Sequence, residues 1–387
     1  MILSMSAHLF AQNPKIILKK QHVICGSERT DVYFPKLKGR KVALVGNKSS
    51  RVGSVHLLDT LLSSGIQVVS VFCPEHGFRG EGEAGEQIDN YNDPSTGIPV
   101  RSLYGSSKKP MPEDLEGIDI LVFDIQDVGA RFYTYISTLH YVMEAAAESG
   151  IQVMLLDRPN PNGFYVDGPV RQPGFESFVG MHPVPVVHGM TIGEYGRMIN
   201  GEKWLANGIQ CDFEVVSCQN YDHLTEYILP VRPSPNLPNQ NSVYLYPSLC
   251  FFEGTIVSIG RGTAIPFQVY GHPEYSGSYH FIPVPTPGAS MNPKWKNTLC
   301  KGVDLSTLGI SDIFSNPLLQ LEWLIDIFED LGKPDDFFTT YFDTLAGSSA
   351  LREMIIAGRS PEDIRKSWSY ELSEFKKVRS MYLLYNE

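Results

Sequence analysis

The stretch VFCPEHGFRGEGEAG, residues 71–85, decides how the chain is read, because an apolar run stops there at a charged, glycine-rich turn. Val68, Val69, Val71 and Phe72 have the character of a short buried strand that Pro74 ends. Glu75, His76 and Arg79 follow at once, among Gly77, Gly80, Gly82 and Gly85. Ligands of open α/β sheets bind just beyond the carboxyl ends of the strands. A carboxylate, an imidazole and a guanidinium crowded at such an end read as a candidate site rather than a solvated surface turn.

Working outward, KVALVG (Lys41–Gly46) reads as the first central strand and residues 55–62 as a short helix, a βα unit to which the strand before Pro74 adds the second strand. Residues 118–125, IDILVFDI, are an apolar run bounded by turn signals, the pattern of a buried parallel strand. A helix is expected over 133–149, stopped by Gly150, and the next strand over Gln152–Leu156. This alternation predicts an α/β fold with a Rossmann-like, doubly wound, mostly parallel sheet. Its first turn, VGNKSS, is not GxGxxG, and GxxxxGK[ST] occurs nowhere, so neither phosphate cradle is present and no cofactor is expected.

Beyond Asp157 the connections turn long and rich in proline and glycine, with a helix expected over 191–200, opened by a Thr191/Glu194 capping box, and a strand over 213–217. RPSPNLP, residues 232–238, excludes a regular element. From about Gly271 a second, smaller α+β domain is expected, with helices at 318–331, 348–357 and 361–384. The division is then 1–35 as leader remnant and entry segment, 36–270 as a Rossmann-like catalytic domain, and 271–387 as an auxiliary domain.

A chain of 387 residues with 42% hydrophobic and 19% charged residues affords a large core. No run reaches the roughly 18 apolar residues of a membrane span. A net charge of -11 without a basic stripe argues against a nucleic-acid partner and for a neutral or cationic small substrate. The six cysteines are scattered without a CxxC pair, so buried thiols are expected rather than structural zinc; Cys73, beside Pro74 and Glu75, reads as a buried strand residue before it reads as a nucleophile. His76 and His188 have no HExxH-type spacing, so no metal site is expected. MILSMSAHLFAQ, residues 1–12, resembles the end of a secretory leader, which points to a periplasmic or secreted location.

A second polar cluster, FDIQDVGARFYTY at 123–135, puts Asp124, Gln126, Asp127, Arg131 and Tyr133 on the loop after the third strand. If neighbouring strands carry Glu75 and Asp124 or Asp127 to one edge, two carboxylates converge there. That is the minimum for general acid–base work or glycoside hydrolysis. DRPNPNG at 157–163, PSPN with Asn236, and EGTIVSIGRGT with Arg261 add further polar groups on loops. Ser258 stands in no GxSxG elbow, and His188 has no evident serine partner.

PEHGFRG, DIQDVGARFYTYISTL, DRPNPNG, HGMTIGE, PSPN and EGTIVSIGRGTAIPF together, in this order, resemble the exo-β-N-acetylmuramidase family typified by NamZ, from about Val42 to at least Gly271. The resemblance implies a Rossmann-like catalytic domain with a smaller auxiliary one. It also implies removal of terminal N-acetylmuramic acid from the non-reducing end of peptidoglycan fragments, with Glu75 catalytic. The expected partners are therefore muramyl saccharides. N-acetylmuramic acid carries a lactyl carboxylate, for which Arg79, Arg131 and Arg261 are candidate partners. His76, Gln126, Tyr133 and Asn236 complete the candidate binding residues. Glu75 is assigned the general acid, its pKa raised by a semi-apolar pocket, and Asp124 or Asp127 the opposing carboxylate. Two rival readings are a sugar-binding module without turnover and a carboxylesterase or amidase using His188.

Overall fold

The computed structural model describes residues 18–74, 77–79, 90–105, 107–308 and 310–387; Glu75, His76 and the leader-like residues 1–12 lie outside them. In chain order, α1 (Thr30–Leu37) leads to β1 (Lys41–Gly46), and a small ribbon of β2 (Arg51–Val52) and β3 (Val55–His56) leads to α2 (Leu57–Ser63) and β4 (Gln67–Cys73). Then come β5 (Tyr91–Asn92), β6 (Pro99–Ser102), β7 (Ile120–Asp124), α3 (Tyr135–Ser149), β8 (Gln152–Leu156), α4 (Ile192–Gly201), β9 (Phe213–Val216) and α5 (Gln240–Leu249).

The main sheet has seven strands in the order β5-β6-β4-β1-β7-β8-β9. Every neighbouring pair is parallel except the edge pair β5 and β6. Leaving β5 aside, the spatial order is that of a doubly wound sheet whose direction of winding reverses between β1 and β7. Both faces are covered, which is why the strands are continuously apolar. Val42, Leu44, Ile120 and Val122 pack with Tyr33 and Leu37 of α1 and Leu57, Leu58 and Leu61 of α2. Ala43, Val45, Leu121 and Phe123 face the other way, onto Ile136 and Leu139 of α3 and Tyr195 of α4.

The smaller C-terminal part is a three-stranded antiparallel sheet in the order β10 (Val269–His272), β12 (Cys300–Asp304), β11 (Tyr279–Phe281), followed by helices. These are α6 (Ile310–Ser315), α7 (Leu321–Asp330), α8 (Thr340–Ala346), α9 (Ala350–Ile356), α10 (Pro361–Ser367) and α11 (Ser369–Ser380). Leu324, Phe342 and Ile364 join the same apolar cluster as α3 and α4, so the helices close over one face of the parallel sheet. Among the described residues no helix is long and apolar enough to cross a membrane.

Several elements differ from the sequence reading. The helix expected over 55–62 begins as a strand, because Val55 and His56 pair with Val52 and Arg51; α2 starts at Leu57 with the His56 side chain accepting from Leu58 N–H. The long helix expected over 361–384 is two, broken at Trp368, whose buried side chain anchors the break. The sequence did not reveal α5, since it contains Pro247. The proline leaves the Val243 carbonyl without a helical donor, and Asn162 Nδ2 supplies one at 3.1 Å. The Thr191/Glu194 capping box is present as expected.

Candidate active site

A cleft of 460 Å³ opens between the carboxyl edge of the parallel sheet and the C-terminal part. Its sheet-side wall comes from Tyr104, two residues past β6, and from Tyr133 and Tyr135 after β7; its far wall comes from Glu253, Arg261 and Phe267. β4, whose chain leaves through Pro74 towards Glu75, lies between β6 and β1 in the sheet. The cleft therefore spans the strand end that precedes the PEHG motif.

Hydrogen bonds lock this edge where the winding reverses. Asn47, just beyond β1, donates to the Tyr135 hydroxyl at 3.0 Å, and its Oδ1 accepts from Ser49 N–H and Oγ–H. Ser49 Oγ accepts from Gln126 N–H at 3.0 Å, and Tyr133 donates to the Pro233 carbonyl at 3.0 Å. The loops after β1 and β7 and the PSPN loop are thus one unit. Asn236 sits in the cleft wall, with Nδ2 donating to Ala289 O at 2.9 Å and a buried Oδ1 that has no partner among the described residues. That oxygen is an acceptor open to a ligand hydroxyl.

The charged residues singled out in the sequence part ways. Asp124 is fully buried and held by Arg158, through Nε at 2.6 Å and Nη2 at 2.9 Å, so it does not line the cleft. Burial opposes the charge on Arg158, and Asp124 more than offsets it, keeping the guanidinium protonated. Arg131 is also sealed: its two terminal nitrogens donate to the carbonyls of Pro169, Val184, Leu345 and Ala346. Arg79 spends its donors on Asp59 of α2 and Asp93, while neighbouring Phe78 packs edge-on against His56 with ring centroids 4.5 Å apart. Arg79 and Phe78 therefore pin the chain just past Glu75. Gln126 is tied to the Asp127 and Pro159 carbonyls, its Oε1 unpaired among the described residues.

Asp127 is different. It is buried and not among the residues lining the cleft, with Oδ2 accepting from Gly129 N–H at 2.7 Å and Oδ1 without a partner among the described residues. Burial pushes its carboxyl up to about 7. Asp157 of DRPNPNG has a structural role, since it accepts from Thr191 Oγ1 and Gly193 N–H at the start of α4 and from the Tyr385 hydroxyl. His188 is sealed, its Nδ1 accepting from Met190 N–H, and burial lowers it to about 3. Neither a nucleophile nor the cleft is available to it.

Sequence reasoning placed Arg261 but overlooked its partner. Glu253 is the one carboxylate among the described residues lining the cleft, and it accepts from Arg261 Nε at 2.6 Å. Phe267 stacks under the guanidinium, 5.0 Å from its centroid. Arg261 lines the cleft, and its terminal nitrogens have no hydrogen-bond partner among the described residues. Gly260 and Gly262, at φ of 76° and 81°, hold the turn; a Cβ at either would come within 2.4 Å of Val269 Cγ1 or Val284 O. The glycines flanking Arg261 and a carboxylate eight positions before it were the signal available in the sequence. The aromatic wall of Tyr104, Tyr246 and Phe267 had none, because Tyr246 and Phe267 sit among apolar residues and Tyr104 in a plain serine- and glycine-rich turn.

Among the described residues no three side chains of His, Cys, Asp or Glu gather as a metal site. The family model described as exo-beta-N-acetylmuramidase NamZ, N-terminal, matches residues 42–241, and its C-terminal counterpart matches residues 244–385. The peptidoglycan beta-N-acetylmuramidase NamZ of Bacillus subtilis (strain 168) is 42% identical over 376 residues, covering 91% of this chain and 89% of that protein. Two crystal structures of DUF1343 family proteins from Bacteroides fragilis NCTC 9343 share the architecture. BF0379 is 47% identical with a TM-score of 0.89, over 95% of this chain and all of that one. BF0371 is 29% identical with a TM-score of 0.77, over 94% of this chain and 99% of that one.

Proposed function

The chain belongs to the exo-β-N-acetylmuramidase NamZ family, and from that membership together with its cleft we infer that it is an exo-acting glycosidase. It releases terminal N-acetylmuramic acid from the non-reducing ends of peptidoglycan fragments. The observation that carries this for the present chain is the cleft itself. It has aromatic walls against which a sugar ring packs, and a single arginine with unspent donors.

Three arginines were candidates to read the lactyl carboxylate. Arg79 is committed to two aspartates and Arg131 to four carbonyls, which leaves Arg261. Glu253 and Phe267 fix its plane, so the fork it presents matches a carboxylate without further ordering. Asn236 Oδ1 stands ready for a sugar hydroxyl or amide N–H.

Glu75 is the general acid in this reading, placed by sequence directly beyond β4. Of the two aspartates considered with it, Asp124 is consumed by Arg158, and Asp127 keeps an oxygen free. Peptidoglycan lies outside the cytoplasmic membrane, so the leader-like residues 1–12 fit an exported protein.

The test is hydrolysis of para-nitrophenyl β-N-acetylmuramide beside its β-N-acetylglucosaminide counterpart. Release from the muramide is expected, falling about 10²–10⁴-fold in Glu75→Gln at unchanged thermal stability. Full activity in that variant, or no release by the folded wild type from muramyl oligosaccharides, overturns the assignment.

A further inference from the structure

Cys25 and Cys218 face each other across a short antiparallel contact that the glycosidase site does not use. Ile24 N–H donates to Gln219 O at 3.0 Å, and Gln219 N–H donates back to Ile24 O at 2.8 Å. When one pair exchanges both bonds, the adjacent pair is non-hydrogen-bonded, with Cα atoms about 4.5 Å apart. Here that adjacent pair is Cys25 and Cys218. Their own N–H groups point elsewhere, that of Cys25 to Glu28 Oε2 at 2.8 Å and that of Cys218 to the Tyr385 hydroxyl at 2.7 Å. Their thiols have separate partners, Cys25 Sγ lying 3.3 Å from the Tyr227 hydroxyl and Cys218 Sγ donating to Asp157 O at 3.2 Å. Native disulfides join Cα atoms roughly 4.4–6.8 Å apart, so the pair meets that requirement with little backbone movement.

We propose that Cys25 and Cys218, free thiols in this structure, form a disulfide by exchange with a disulfide oxidant, fastening the segment before α1 to the loop after β9. Cys25 Sγ attacks one sulfur of the oxidant R–S–S–R, forming a mixed disulfide and releasing one RSH. Cys218 Sγ then attacks Cys25 Sγ and releases the second RSH. The two protein thiols lose two hydrogens and two electrons, and the oxidant gains them.

The surroundings set the order of attack. Cys25 lines a 380 Å³ surface cleft with Tyr227 and Arg158, which admits a small oxidant. The neighbouring Cys218 thiol, helped by the Arg158 guanidinium and the Tyr227 hydroxyl, pulls the Cys25 thiol below its ordinary value, whereas burial lifts Cys218 well above it. Burial also lifts Cys73, Cys211, Cys250 and Cys300. Cys25 is therefore the thiol readiest to react. Oxidation removes the bond from Cys218 Sγ to Asp157 O at 3.2 Å, but that carbonyl still accepts from Gly26 N–H at 2.8 Å. The closed loop holds every strand of the parallel sheet, so the constraint on the unfolded chain is large.

The experiment treats the purified protein with glutathione disulfide, alkylates it after denaturation, and maps peptides without reduction. The expected result is a loss of two hydrogens, a cross-linked peptide joining Cys25 to Cys218, and a Tm raised by a few degrees that dithiothreitol reverses. Cys218→Ser is expected to stop at a glutathione adduct on Cys25. Six alkylated cysteines in the treated wild type, or a lasting glutathione adduct on wild-type Cys25, overturns the proposal.

Discussion

The loop after β7 carries a fully buried arginine and the turn around Arg261 a half-buried one, and the two are spent in opposite ways. Arg131 is surrounded by four carbonyls from three parts of the chain, including the end of α8, and serves as a pin between the parallel sheet and the C-terminal helices. Arg261, in the cleft wall, is clamped on one edge by Glu253 and on one face by Phe267, and its terminal nitrogens have no partner among the described residues. Charge within a motif therefore does not distinguish fold from function. What distinguishes them is whether the donors have been used.

Breaking the pin is expected to have the largest effect. Arg131→Met removes the donors from four buried carbonyls and should cost about 3–5 kcal/mol, by analogy with breaking a buried charged contact. Chemical denaturation measures it. A variant within about 0.5 kcal/mol of wild type, where ordinary surface substitutions fall, would remove Arg131 from the structural class.

The same contrast explains how far the sequence could be read. The parallel strands were legible because burial on both faces makes them continuously apolar, and the Thr191/Glu194 box marked α4. The edge strand β5 and its neighbour β6 were not, since each is short and β6 begins with Pro99. Of the site, the strand-end loops and Arg261 were legible. The fates of Asp124 and Arg131 were not, because Arg158 and the four carbonyls reach them from distant positions in the chain. Motif order identified the right loops; only tertiary contacts show which side chains those loops leave free.

Asp127 gives a smaller effect that depends on pH. Burial raises its carboxyl from 3.8 to about 7 in the folded protein. Near pH 3 it is neutral in both states and costs nothing. Between about 4 and 7 the unfolded chain ionises while the folded one holds its proton, so stability falls as pH rises, and it levels off above about 7. The loss is on the order of 4 kcal/mol at most. Asp127→Asn keeps an acceptor for Gly129 N–H and cannot ionise, so the difference between the two proteins should grow in the variant's favour from pH 4 to 7. Parallel melting curves across that range measure it, and parallel pH profiles would show that Asp127 ionises no less easily in the folded state.

Arg261 should have the smallest effect on the fold and the most selective effect on turnover. Its Nε serves Glu253, so Arg261→Lys keeps a charge beside that carboxylate but gives up the planar pair of donors facing the cleft. If those donors hold the lactyl carboxylate, kcat/KM on the muramide should fall about 10–100-fold, roughly 1.4–2.7 kcal/mol, mostly through KM. The glucosaminide lacks that carboxylate, so whatever turnover it supports should change little, and the preference between the two sugars should shrink by the same factor. An equal loss on both substrates would place Arg261 with Arg131, as a residue that shapes the cleft without reading the sugar. An unchanged ratio and unchanged rates would move lactyl recognition to the backbone N–H groups of the glycine-rich turns around it.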